Sequence, residues 1–200
     1  APLPRVEARL LVAPGGAKPD ISILRADVHV PWSGHMSTYA VPDLMRIIED
    51  HQTTLLFVNT RSQAELLFQH LWAANENGLP IALHHGSLAV EQRRKVESAM
   101  VAGKIRAVVC TSTLDLGIDW GDVDLVVQVG APKGASRMLQ RIGRANHRLD
   151  EPSKALFVPS NRFEVLECEA ALEAVEQGAQ DSEDPVSGGL DVLAQHILGS

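Results

Sequence analysis

Thr54-Leu55-Leu56-Phe57-Val58-Asn59-Thr60-Arg61 decides the fold class. Its first five residues form a short apolar run with no polar alternation, the pattern of a strand buried on both faces of a sheet. Asn59 or Thr60 then offers a side-chain oxygen to cap a helix carrying Ala64, Leu67, Phe68 and Leu71 on one side. Working outward, the same strand–loop–helix unit recurs. Pro80–Leu83 reads as a second strand, followed by His84-His85-Gly86-Ser87 and a helix that Ser87 would cap, with Val90, Val96 and Met100 facing the core. Ala107–Cys110 and Leu125–Val129 are further strands; a helix over 135–147, strand Ala155–Val158 and a helix over 162–176 complete the series. Before it, Leu44, Ile47 and Ile48 share helical spacing, with Pro42 in the first turn where its missing N–H costs nothing. Strands alternating with helices through short loops predict an α/β fold: a parallel sheet with helices on both faces.

The 200 residues, 45% hydrophobic and 22% charged with a net charge of −7, describe a folded domain with a real core. No apolar run approaches the ~20 residues of a membrane-spanning helix, and no signal peptide opens the chain. Cys110 and Cys168 match no metal-ligand spacing; Cys110 ends an apolar run and reads as a core residue, which favours a reducing, cytoplasmic setting. The acidic total opposes wholesale coating of nucleic acid, so any polyanion site must be local. Residues 1–35 divide between two readings. Arg9–Ala13 and Asp20–Leu24 flank the turn-forming cluster Pro14–Pro19 as in a β-hairpin, or the stretch is a linker between domains. Residues 36–177 form the regular unit. Residues 178–200 begin with a linker-like composition and end in the amphipathic Leu190–Leu198, the start of a further domain. The opening Ala1-Pro2-Leu3-Pro4, without an initiator Met, reads as a fragment of something longer.

In open parallel sheets ligands bind beyond the carboxyl ends of the strands. Polar residues collect there: Asn59-Thr60-Arg61, His84-His85-Gly86-Ser87, Thr111-Ser112-Thr113 and Gly130-Ala131-Pro132-Lys133. With loop N–H groups and helix N-termini they would make a phosphate-binding rim. Each has a plain structural reading as well: Thr60 and Ser87 as caps, His84 and His85 as hydrogen-bonded loop residues, Gly86 as relief for a positive φ. Asp119, after Gly117-Ile118, suits a ribose hydroxyl and suits an Asx turn equally well.

One segment stands out by charge. From Lys133 to Arg148 there are five cations and no acid, and Arg137, Arg141, Arg144 and Arg148 are spaced to share one face of a helix. Like charges so placed repel by some tenths of a kcal/mol per pair, which an opposing anion would relieve. The chain has no G-x-x-x-x-G-K-S/T cradle, and Glu49-Asp50-His51 is no magnesium-binding Asp-Glu-x-His. Such a chain does not hydrolyse nucleotide alone, but it can lend arginine fingers to a neighbour.

Together these segments resemble the second RecA-like domain of a superfamily-two helicase. Leu56–Arg61 looks like motif IV, and His84–Leu88 with Arg93 like the segment after it. Thr111–Asp119 looks like motif V, and Gln140-Arg141-Ile142-Gly143-Arg144 like motif VI. Trp120–Asp124, the string Gln140–Arg148 and Phe157–Glu169 are most similar to the Lhr-type branch, and within it to bacterial ligase-associated DExH-box helicases. The resemblance implies an ATP-dependent 3′→5′ DNA translocase of DNA repair, cytoplasmic and nucleoid-associated, with ATP and Mg2+ held mainly by a preceding RecA-like domain. It implies a winged-helix domain after Gly189 and a functional association with DNA ligase. Carried over by position, Arg144 would be the arginine finger, Arg141 its support and Gln140 polar support. Asp119, beside Gly117, would meet the ribose or couple the ATP site to DNA. Thr60, Arg61, Gly86 and Thr111 would touch the DNA backbone. Where many relatives carry Gly and Arg this chain has Asn146 and His147, so the second cation is either His147 or Arg148. Two other readings stand: a non-catalytic nucleic-acid-binding module, and an RNA helicase domain.

Overall fold

Leu55, Leu56, Phe57, Val108, Val109 and Val127 are all fully buried, which only a sheet covered on both faces achieves. The computed structural model describes residues 17–26, 29–34, 37–114, 123–143, 145, 152–178, 195 and 197. Its strands are β1 (Asp20–Ile23), β2 (Thr54–Phe57), β3 (Ile81–His84), β4 (Ala107–Cys110), β5 (Leu125–Val129) and β6 (Lys154–Val158). They form one sheet in the order β1-β6-β5-β2-β4-β3, and every pairing is parallel. The helices are α1 (Val41–Asp50), α2 (Arg61–Ala73), α3 (Val90–Val101), α4 (Ala135–Ile142) and α5 (Arg162–Glu176). The α/β fold expected from the sequence is the one observed.

Alternation along the strands sorts the helices. Leu56, Val109, Val127 and Val158 pack with Leu44, Ile48, Leu67 and Leu71 of α1 and α2. Leu55, Phe57, Val108 and Val126 face the other way, onto Met100 of α3 and onto Ala145. Ala155 and Phe157 meet Met138 and Ile142 of α4 and Cys168 of α5 on that same side. Each such Leu, Val or Phe contributes about 1.5–3 kcal/mol by leaving water, so the central strands dominate the core.

Several expectations need correction. Asp20–Ile23 is not paired in a local hairpin: it lies parallel to β6, Asp20 against Lys154 through Ile23 against Phe157. The unit therefore takes in chain from the stretch expected to be a linker; Arg9–Ala13 lies outside the described residues. Ser87 does not cap α3, which starts at Val90 after Ala89 without a side-chain cap, and Val90 is 45% exposed instead of facing the core. The helix expected over 135–147 stops at Ile142. Gly143 ends it, its N–H donating to Leu139 O at 2.9 Å, and the chain turns so that Ala145 is fully buried beside Leu55 and Val126. Of the four arginines expected on one helical stripe, Arg137 and Arg141 belong to α4, the first exposed and the second buried, while Arg144 and Arg148 lie outside the described residues.

Candidate functional site

The carboxyl ends of β2 to β5 and the loops after them form a continuous rim stitched by hydrogen bonds. Thr111 N–H donates to His84 O at 3.3 Å, Val58 N–H to Cys110 O at 2.9 Å and Gly130 N–H to Val158 O at 2.9 Å. Asn59 Nδ2 donates to Ala131 O at 2.8 Å, tying the loop after β2 to the loop after β5. Gly130 is required there: its φ is +83°, and a Cβ would come within 3.3 Å of Asn59 Nδ2.

On the β2 side, Thr60 is the N-cap of α2. Its Oγ1 accepts from Gln63 N–H at 3.2 Å while Gln63 Oε1 accepts from Thr60 N–H at 3.1 Å, a capping box. Arg61 follows in the first turn, its side chain 60% exposed, its Nε donating to Glu65 Oε1 at 2.8 Å. The bond from Arg61 holds the Glu65 carboxyl below the ordinary range. The same Glu65 oxygen lies 3.4 Å from His85 Nε2. That is an ion-pair distance without hydrogen-bond alignment, since neither His85 nitrogen has a hydrogen-bond partner. Burial pushes the His85 imidazole below its usual pKa, and Glu65 partly opposes the shift. His84, also buried, is held at both nitrogens: Nδ1 is 2.9 Å from Thr113 Oγ1 and Nε2 is 3.0 Å from Glu97 Oε1 of α3. Gly86 is exposed beside them, and a Cβ on it would meet Thr113 Cγ2 at 3.5 Å, an ordinary contact.

On the β5 side, Arg141 crosses from the end of α4 back to the sheet. It is 4% exposed, its Nη1 donates to Gln128 Oε1 at 2.6 Å, and its guanidinium lies 4.8 Å from the centre of the Phe57 ring. Gln128 also donates from Nε2 to the carbonyls of Val129 and Gly130 at 3.2 and 3.3 Å. The end of α4 is thereby fixed to the rim shared by the other loops. Gln140 beside it is exposed. Arg144 falls between exposed Gly143 and buried Ala145; Arg144 itself, with Gly117, Asp119, His147 and Arg148, lies outside the described residues. The structure thus brings together Thr60, Arg61, Gly86, Thr111 and Arg141 along one edge of the sheet, with Gln140 an exposed neighbour of Arg141 on α4. Among the described residues there is no group of three or more His, Cys, Asp or Glu placed to hold a metal ion.

The helicase conserved C-terminal domain family matches residues 39–148, more than half of the chain. The chain belongs to that family. This helicase C-terminal domain is 43% identical over 156 residues to the ATP-dependent helicase Lhr-Core of Methanothermobacter thermautotrophicus, a match covering 76% of this chain and 18% of that protein. It is similar, at a TM-score of 0.80 and 34% identity, to the structure of Mycobacterium smegmatis helicase Lhr bound to ssDNA and AMP-PNP, covering 92% of this chain and 25% of that one. A DEAD box protein from the hyperthermophile Methanococcus jannaschii shares the fold, with a TM-score of 0.60 at 22% identity over 80% of this chain and 40% of that one. The resemblance to a superfamily-two, Lhr-type second RecA-like domain therefore holds, while the chain spans less than a fifth of the length of the Lhr-Core relatives.

Sequence reading missed the partners of the helicase domain's rim residues. Gln128 was the available signal, a lone amide in the otherwise apolar Leu125–Val129. Glu65 and Glu97, which hold the two histidines, carried no local signal; only the approach of α2 and α3 to β3 pairs them.

Proposed function

We propose that this chain is the second motor domain of an ATP-dependent 3′→5′ DNA helicase or translocase acting in DNA repair. The observation that carries the reading is the fixing of the end of α4 by Arg141, Gln128 and Phe57 to the rim that presents Arg61, Gly86 and Thr111. A nucleotide-sensing arginine placed there sits on the same rigid body as the backbone grip. ATP with Mg2+ is bound mainly by a preceding RecA-like domain. Arg144 reaches its γ-phosphate as an arginine finger; Arg141 is a positioning residue for it, and Gln140, Gly117, Asp119 and either His147 or Arg148 complete the nucleotide contacts. Thr60, Arg61, Gly86 and Thr111 hold the DNA backbone, which conveys no sequence information and so suits a translocase. ATP draws the two domains together through Arg144, and hydrolysis removes the charge that holds them. The winged-helix domain, the functional link to a DNA ligase and a place in the bacterial cytoplasm at the nucleoid belong to the same reading, as does inactivity of the isolated chain.

The deciding experiment is Arg144→Ala in the full-length protein. Turnover of ATP is expected to fall ~10³–10⁵-fold with ATP binding retained; near-normal turnover removes the finger assignment. Comparing DNA with RNA as activators of the wild-type ATPase tests the substrate, and RNA as the better activator overturns the DNA reading.

A further inference from the structure

Charge in this chain is segregated. Residues 90–106, α3 and the turn behind it, carry five cations (Arg93, Arg94, Lys95, Lys104, Arg106) against two acids (Glu91, Glu97), although the whole chain has a net charge of −7. One of those acids is already engaged, Glu97 with His84 at 3.0 Å. On the outer side of α3, Arg94, Lys95, Ser98 and Lys104 surround a shallow depression of about 390 Å³ floored by Ala99 and Ala102. All of these except half-buried Ala99 are exposed. Among the described residues, none of the three cations pairs with an acid. A solvated helix face in so acidic a chain would be expected to intersperse carboxylates among its cations.

We propose that this depression is a second phosphate-backbone site, which holds a segment of nucleic acid other than the one gripped at the rim. The inference rests on the nucleic-acid reading given above. The shape fits the chemistry: two alanines leave room for a sugar–phosphate chain to lie against the helix, a serine hydroxyl donates from one wall, and three cations reach in from the sides. Arg94 to Ala102 covers ~12 Å of helix, comparable to three or four steps of ~3.4 Å along one strand of a duplex. The position fits as well. α3 begins just after the His85-Gly86-Ser87 loop, and the Glu97–His84 bond fastens its middle to the carboxyl end of β3, so the depression runs from Arg94 on the rim side of the helix toward Lys104, just ahead of β4. An acidic protein would also be attracted to three cations, but the continuity with the rim favours nucleic acid.

The test is the triple replacement Arg94→Ala, Lys95→Ala and Lys104→Ala in the full-length protein, with Lys154→Ala, an exposed cation on β6, as control. Two probes separate the strand at the rim from additional backbone: an oligonucleotide only long enough for the rim, and a forked duplex with a long single-stranded tail. For the fork, the slope of log affinity against log salt is expected to fall by about 2–3, with about tenfold or greater weakening at low salt. For the short oligonucleotide, affinity and stimulated ATPase should stay unchanged, and the control should match wild type on both probes. Charge reversal at the same three positions should deepen the loss on the fork alone. An unchanged slope on the fork overturns the proposal and leaves this face to an acidic partner or to solvent. Equal losses on both probes also overturn it, by placing the three cations in the rim path. If wild type binds neither probe and its ATPase ignores DNA, the functional reading itself fails, and this inference with it.

Discussion

Arg61 and Arg141 stand on the same rim in opposite circumstances. Arg61 is solvent-facing, its Nε bound to Glu65. Arg141 is buried, bound to Gln128 and stacked over Phe57. The first presents charge; the second spends its charge inside the protein as an anchor. Burying a guanidinium is tolerable only with aligned partners, and here those partners are a strand amide and an aromatic face. The rim thus has a presenting half, beside β2 and β3, and a clamped half, beside β5 and α4. Conserving positive charge at position 141 would not preserve the anchor, because a lysine lacks the planar fork that reaches Gln128 and Phe57 together.

That contrast can be broken at several points. Arg141→Ala should lower stability by about 2–4 kcal/mol in urea unfolding, since it opens a cavity and leaves Gln128 Oε1 without its donor. Arg141→Lys should recover only part of that. A loss under about 1 kcal/mol would mean the clamp is not what holds α4. Gly130→Ala should cost about 1–2 kcal/mol for its left-handed backbone, with further displacement of Asn59; an alanine variant of unchanged stability would show that the rim yields there. For His85 the folded pKa lies below the ordinary value of about 6.5. The folded state then binds fewer protons than the unfolded one in the window between the two values. Its contribution is fully present above pH ~6.5 and is lost as pH falls through the shifted value. His85→Asn should flatten the stability curve below pH ~6.5 relative to wild type; parallel curves would contradict the shift. Arg61→Ala should change stability by no more than about 0.5 kcal/mol. In the full-length protein it should reduce the salt slope of DNA binding by about 1, and a large stability loss would erase the distinction between the two arginines.

Much of the frame was legible because short apolar runs carry their own message. Leu55–Phe57, Val108–Cys110 and Val126–Val127 need no tertiary knowledge to be read as strands buried on two faces. A cap ahead of α2 was legible in the same local way, as Asn59 or Thr60, and the structure uses Thr60. The end of α4 was not legible, because two signals conflict at Gly143. Glycine favours a stop, while the four-three-four spacing of arginines argues for a continuing helix. The structure follows the glycine, and Ala145 just beyond it joins a core cluster with Leu55, a residue far away in the chain. β1 failed for a related reason: nearby turn residues suggested a local partner, whereas parallel pairing requires a distant one. The site was legible as a set of loops but not as a network, since Glu65, Glu97 and Gln128 acquire their roles only through the packing of helices on the sheet.

β1 has a mechanical consequence. It enters the sheet at Asp20 and runs alongside β6 in the same direction, and after it the chain returns to the head of α5, where Arg162 N–H donates to Pro31 O at 3.0 Å. Tension applied to the incoming chain along the strand axis loads the whole β1–β6 ladder in shear, every bond at once, instead of peeling the bonds one by one. A strand fastened in that way resists pulling far better than a peeled edge of equal length, so displacement upstream reaches the sheet as movement of the whole body.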